Sequence, residues 1–302
     1  MTKFKGLYPA LATPMDEKGE LAEDALRAII ESNIESGVHG WWVAGGTGES
    51  VLLDDEENMR IAEIVVDQAG GRANTIMHVG ASTTRRAAKM AEHAAKVGAE
   101  AICCVPPFFY RPTDEAVVQH YKAVGEASDL PLFVYNLPQA TGTEITPELM
   151  LKIQDRVPQL KGLKHSALTF ANIRTFADMG LDCFVGNCQL MLPALTIGAC
   201  GMIDGPPNAA PEPWIDVWNA YNDGDWETAK SSQALATKIA AVIRGGAGMH
   251  ANIKALLSHR LNVDCGSPRL PGLPLAADQK KQLISEADAL GFGVFPSLSK
   301  ST

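Results

Sequence analysis

The sequence is short of positive charge: 26 Lys and Arg stand against 35 Asp and Glu, a formal net charge of -9. Such a chain has no global positive field for a polyanion, which argues against nucleic acid or an anionic membrane as a partner. A long apolar run at the start is also missing. "MTKFKGLYPALATPMDEKGE" is cut by Pro9 and Pro14, so it fits neither a signal peptide nor a membrane span, and the expected location is the cytoplasm. There is no C-x-x-C pair. The six cysteines, Cys103, Cys104, Cys183, Cys188, Cys200 and Cys265, lie mostly in apolar segments and read as reduced core residues, not disulfides or zinc ligands. No GxGxxG turn follows the first apolar run, which counts against a dinucleotide-binding fold. The seven histidines are scattered (His39, His78, His93, His120, His165, His250 and His259), and only His78 and His165 lie near strand ends. That leaves a metal-dependent enzyme without a ligand set. The segment "DGPPNAAPEP" brings an aspartate and no Lys or Arg, which excludes the usual phosphate site of a barrel enzyme.

What is present is a regular alternation. The chain is 302 residues long, 46% hydrophobic and 20% charged, enough to bury a large core. Eight apolar runs follow one another: "LYPALATP", "GWWVAGG", "TIMHVGA", "AICCVPP", "LFVYN", "LKGLKHS", "CFVGN" and "GMIDGPP". Helical patterns separate them, as over 22–37, 55–71 and 83–99, several closed by a glycine. Continuous apolar strands joined by helices form a parallel sheet covered on both faces. Eight such units by residue 224 predict an α/β fold, a (β/α)8 TIM barrel over 1–224. From 225 to 302 the pattern is helical alone, with one Gly/Pro-rich link, "CGSPRLPGLPL", and predicts a C-terminal helical appendage.

In a TIM barrel the chemistry sits at the C-terminal ends of the strands. Lys164 ends the sixth apolar run, directly after Gly162 and Leu163, where a buried ammonium is costly. A lysine there can form a Schiff base with a 2-oxo acid if its amine is neutral, or it can snorkel to solvent or pair with a carboxylate. Tyr135 ends the fifth run; it is either a proton-transfer phenol or a core tyrosine with a satisfied hydroxyl. "VAGGTGES" ends the second run with a glycine-rich turn that exposes backbone N–H groups beside Thr47. That turn suits a carboxylate, though a purely structural turn would use the same glycines.

These residues carry a family resemblance. "GGTGES", "YNLPQATG", "GLKHS" and "RLPGLPL" are similar in order and spacing to the motifs of the N-acetylneuraminate lyase and dihydrodipicolinate synthase family of class I, pyruvate-dependent aldolases. The resemblance runs over nearly the whole chain. It implies that Lys164 forms the imine, that Tyr135 transfers protons, and that Thr47 with the Gly46 backbone holds the pyruvate carboxylate. It further implies a homotetramer acting on a small 2-oxo acid, with no metal and no organic cofactor. The polar residues expected near the mouth are Ser166, Asn187, Gln189 and Asp204, with Ile203, Ala140 and Phe109 as apolar neighbours; Asp204, where relatives usually carry a small or hydroxyl residue, either binds substrate or is a loop carboxylate that caps the next helix or bonds backbone.

The departures bear on the substrate. Dihydrodipicolinate synthases resembling this chain carry an arginine where Ala140 stands, a tyrosine at Phe109 and a hydroxyl residue at Gly46. Tyr110 is adjacent, but the next residue of an extended segment faces the other way. Neuraminate lyases carry an acidic pair where this chain has Cys188 and Gln189. The expected reaction is therefore cleavage or formation of a 2-keto-3-deoxy sugar acid or 4-hydroxy-2-oxo acid, giving pyruvate and a neutral aldehyde. The alternatives are 4-hydroxy-tetrahydrodipicolinate synthase, a 2-keto-3-deoxy acid dehydratase and a non-catalytic sugar-acid sensor.

Overall fold

A computed structural model describes residues 3–246 and 248–292; the last ten residues of the expected appendage, 293–302, lie outside them. Eight strands form one parallel sheet: β1 (Gly6–Pro9), β2 (Gly40–Val43), β3 (Asn74–His78), β4 (Ala101–Cys104), β5 (Leu132–Asn136), β6 (Leu160–His165), β7 (Asp182–Val185) and β8 (Gly201–Asp204). Neighbours run β1-β8-β7-β6-β5-β4-β3-β2. A parallel bridge between Ala10 and Trp42 brings the two ends together, helped by the backbone bonds Leu11 N to Trp42 O and His39 N to Leu7 O, both 3.0 Å. The result is the (β/α)8 barrel that the alternation predicts. The strands are shorter than the apolar runs. Residues past the last ladder bond stay apolar because they remain buried at the barrel mouth, not because the sheet continues.

The helices alternate with the strands: α1 (Glu23–Glu35), α2 (Asp55–Ala69), α3 (Thr84–Val97), α4 (Asp114–Ser128), α5 (Pro138–Thr141), α6 (Pro147–Arg156), α7 (Asn172–Asp178), α8 (Met191–Thr196) and α9 (Glu212–Asp223). Their starts follow from local chemistry. Asp54 and Glu57 make a reciprocal capping box on α2, and Thr83, Thr113 and Thr146 cap α3, α4 and α6, satisfying amide hydrogens the first turn cannot. Along each strand the side chains alternate. Trp41, Val134, Leu163 and Met202 face the helices, whereas Trp42, Ile76, Phe133, Phe184 and Ile203 fill the barrel. Gly162 is required for that filling. A Cβ there would lie 2.1 Å from the Asp182 carbonyl oxygen and 2.8 Å from the Phe133 ring, two residues below Lys164 on the same face.

Beyond Gly224, which caps α9 in the left-handed region, come α10 (Trp226–Arg244), α11 (Met249–Leu261) and α12 (Ala277–Asp288). Ile239, Ile243, Leu256 and Leu283 join the same buried cluster as the outer faces of the strands. Ion pairs add specific anchors. Arg269, from "RLPGLPL", reaches both carboxylate oxygens of Glu57 (2.6 and 2.8 Å) and the carbonyls of Leu52 and Gly19. Lys254 on α11 is buried against Glu49 at 2.6 Å and donates to the Ser267 carbonyl. No helix among the described residues is long and apolar enough to cross a membrane.

The Lys254–Glu49 pair yields a stability prediction. Removing one partner of a buried pair strands the other charge, so Lys254→Met is expected to cost about 3–5 kcal/mol. Combining it with Glu49→Gln, which removes the stranded charge, recovers part of that loss. Urea denaturation of both variants checks this; a single-variant loss below about 1 kcal/mol, the scale of an exposed pair, would contradict it.

Candidate active site

Lys164 and Tyr135 are register partners on adjacent strands, β6 and β5, and both point into the barrel at its C-terminal end. Lys164 is 4% exposed. Its Nζ donates to the Tyr135 hydroxyl at 3.2 Å and lies 4.4 Å from the Tyr135 ring centroid and 5.6 Å from that of Trp42. Among the described residues no carboxylate forms an ion pair with it. A primary amine held against a phenol and two aromatic faces, without a counter-ion, matches none of the structural uses of lysine that the sequence left open.

Buried polar atoms without hydrogen-bond partners gather around this pair: Trp42 Nε1, both ring nitrogens of His78, and Ser166 Oγ. The Trp42 and Tyr135 ring centroids are 5.4 Å apart, and those of His78 and Tyr135 6.1 Å. Ser166 follows Lys164 by two residues, and its hydroxyl occupies the space that a Cβ at Gly186 would need. Buried polar groups are normally paired. These atoms leave hydrogen-bonding capacity unused at the barrel mouth among the described residues.

The "GGTGES" turn sits at the same end, after β2. Ala44 and Glu49 adopt left-handed backbone conformations, φ 50° and 59°, so the chain reverses tightly around Gly46 and Thr47. The amide hydrogens of those two residues make no hydrogen bond among the described residues. Thr47 is buried, with its hydroxyl against Gly205, where a Cβ would approach it to 2.9 Å. Helix α11 holds the turn from outside: His250 Nε2 donates to the Gly46 carbonyl at 3.0 Å, and Lys254 pairs with Glu49.

Other expected positions are placed differently. Asp204 does not offer a free carboxylate. It follows inward-facing Ile203 by one residue and turns outward, where it accepts from the Cys188 and Gly205 amides, both 2.8 Å, and pairs with Arg244 of α10. Phe109 is 86% exposed in a single chain, and Tyr110 is 78% exposed. The expectation that one faces in and the other out assumed extended backbone. Instead Phe109 has φ 80°, and the two rings pack on each other edge to face, 5.1 Å apart. Ala140 is exposed on α5, and Ile203 is fully buried inside the barrel. Asn187 spends its side-chain oxygen on the Gln189 amide, while Gln189 is half-buried beside it. No group of three His, Cys, Asp or Glu among the described residues could hold a metal ion.

Sequence reasoning passed over His78, Trp42, Arg244 and the Lys254–Glu49 pair. The signal for Lys254 was of the same kind as for Lys164, a lysine inside an apolar stretch, "NIKALL". His78 was visible as a strand-end residue, but nothing local showed that its ring would lack partners.

Comparison with known proteins agrees with this geometry. The family model described as the dihydrodipicolinate synthetase family matches residues 3–290. An uncharacterised DapA-like lyase of Halobacterium salinarum is 33% identical over 288 residues, covering 95% of this chain and 94% of the relative. A 4-hydroxy-tetrahydrodipicolinate synthase of Phenylobacterium zucineum is 32% identical over 288 residues, covering 93% and 96%. Among solved structures, a catalytic-lysine mutant of the Ruminococcus gnavus sialic acid aldolase superposes with a TM-score of 0.92 at 25% identity, covering 97% of both chains. With the family matched from end to end, and relatives covered almost completely, the chain belongs to the dihydrodipicolinate synthetase family.

Proposed function

We propose that this protein is a Schiff-base-forming class I aldolase, which cleaves or forms a 2-keto-3-deoxy sugar acid or a 4-hydroxy-2-oxo acid to give pyruvate and a neutral aldehyde. The observation that carries the reading is the buried Lys164 amine, 3.2 Å from the Tyr135 hydroxyl. The neutral amine attacks the C2 carbonyl of the 2-oxo acid and water leaves. In cleavage the C3–C4 bonding electrons then flow into the protonated imine to give an enamine, while the C4 hydroxyl loses its proton and the aldehyde departs. Tyr135 carries protons to and from the reacting atoms. The Gly46 and Thr47 amides and the Thr47 hydroxyl receive the carboxylate. Because the imine is the electron sink, the chemistry calls for neither metal nor organic cofactor. A homotetramer, as the family resemblance implies, would cover the exposed Phe109–Tyr110 pair, an apolar feature that monomers seldom leave bare.

The acceptor is expected to be uncharged. An anionic second substrate needs a cation to offset its desolvation, but Ala140 supplies none and Arg244 is already paired with Asp204. Condensation of pyruvate with glyceraldehyde should therefore show a higher kcat/KM than condensation with aspartate semialdehyde. The second reading, 4-hydroxy-tetrahydrodipicolinate synthase, draws on the name that several relatives carry. A clear preference for aspartate semialdehyde would establish it instead.

A further inference from the structure

We propose that His78 contacts the substrate and selects for a hydroxyl on the carbon chain beyond the pyruvate unit, an inference that rests on the aldolase reading above. His78 ends β3, two residues after Ile76, whose side chain lies in the barrel interior. Alternation therefore turns the His78 ring inward at the C-terminal mouth. There it meets the Tyr135 ring at an interplanar angle of 87°. Its upward reach depends on Gly80, since a Cβ at that position would lie 2.6 Å from His78 Nε2.

His78 is 4% exposed, and neither ring nitrogen has a hydrogen-bond partner. Leaving such a group buried and unpaired is costly. Burial pushes the imidazole pKa down to about 4; the nearby Ala44 carbonyl opposes the shift without a hydrogen bond of acceptable geometry, and the Lys164 charge adds to it. The ring is thus neutral at physiological pH, with one N–H donor and one lone pair. An alcohol both donates and accepts, so it can satisfy the ring in either sense. A carboxylate or phosphate would use the donor and bring negative charge against the lone pair. The chemistry selected is a hydroxyl.

The ring also borders a cavity of about 170 Å³ lined by residues including Ser50, Asn58, Ser82 and Arg86. Water there would satisfy the nitrogens without touching the substrate, and the experiment separates the two cases. It measures kcat/KM for condensation of pyruvate with glyceraldehyde and with propanal, in wild type, His78→Phe and His78→Gln. Wild type should favour glyceraldehyde. His78→Phe should lower the glyceraldehyde-to-propanal ratio roughly tenfold, the scale of one lost hydrogen bond, and His78→Gln should retain part of it. Should the Phe variant not fold by circular dichroism, His78→Ala reads the same ratio. Borohydride trapping of pyruvate is run in parallel. A wild-type enzyme that fails to trap pyruvate overturns the aldolase reading, and this inference with it. With trapping intact, a ratio unchanged in the variant, or no wild-type preference, overturns the role of His78 alone.

Discussion

Lys164→Ala is expected to abolish covalent capture of pyruvate and to lower turnover by at least about 10,000-fold, the scale on which removing a covalent catalyst acts. No other lysine in the described residues lies at the C-terminal end of a barrel strand with its amine against a phenol, so nothing nearby can take over. Borohydride reduction in the presence of pyruvate, followed by peptide mass spectrometry, should place the adduct on the fragment containing "GLKHS" in the wild-type protein and nowhere in the variant. The substitution also removes a buried amine that has no carboxylate partner to leave unpaired. The variant should therefore fold at least as well as the wild type, and lost activity can be assigned to chemistry. Equal labelling of wild type and Lys164→Ala would sink the assignment.

Tyr135→Phe should separate imine formation from the proton transfers that follow. Phenylalanine keeps the ring, with its contacts to Trp42 and His78, and deletes only the hydroxyl, whose hydrogen bond is to Lys164. Turnover is expected to fall roughly 100-fold or more, as for loss of a positioned general acid or base, while borohydride still traps a substantial share of pyruvate. A single-turnover comparison of trapping and product release reads both quantities. Turnover within a few-fold of wild type would show that another group moves the proton. Loss of trapping without loss of fold would show that Tyr135 acts before the imine forms.

The barrel was legible from residue order alone because its strands are buried on both faces. That burial writes nearly unbroken apolar runs into the sequence, and the helices between them must show the 3.6-residue period to cover the sheet. Eight repetitions leave few folds to choose among, so Lys164 and Tyr135 could be set on neighbouring strand ends before any coordinates. Their meeting at 3.2 Å follows from register and period-two alternation, both local rules.

Loop geometry and the partners of buried groups were not legible in this way. Asp204 looked like a carboxylate at the mouth, and only the fold shows Arg244, forty residues on, pairing with it from outside the barrel. Phe109 was placed on the assumption of extended backbone, whereas its positive φ belongs to a loop whose course is set by its surroundings. His78 is one histidine among seven, and its unpaired nitrogens exist only because β2, β4 and β5 bury it without supplying a partner. The order of strands and helices, and the strand ends that carry a lysine and a tyrosine, can be read from residue order because they follow from the periodicity of burial along the chain. Which polar groups find partners, and how the C-terminal helices hold the "GGTGES" turn, is set by the packing of distant segments. Both depend on contacts between residues as much as 250 positions apart, as between Gly19 and Arg269, which no local pattern encodes.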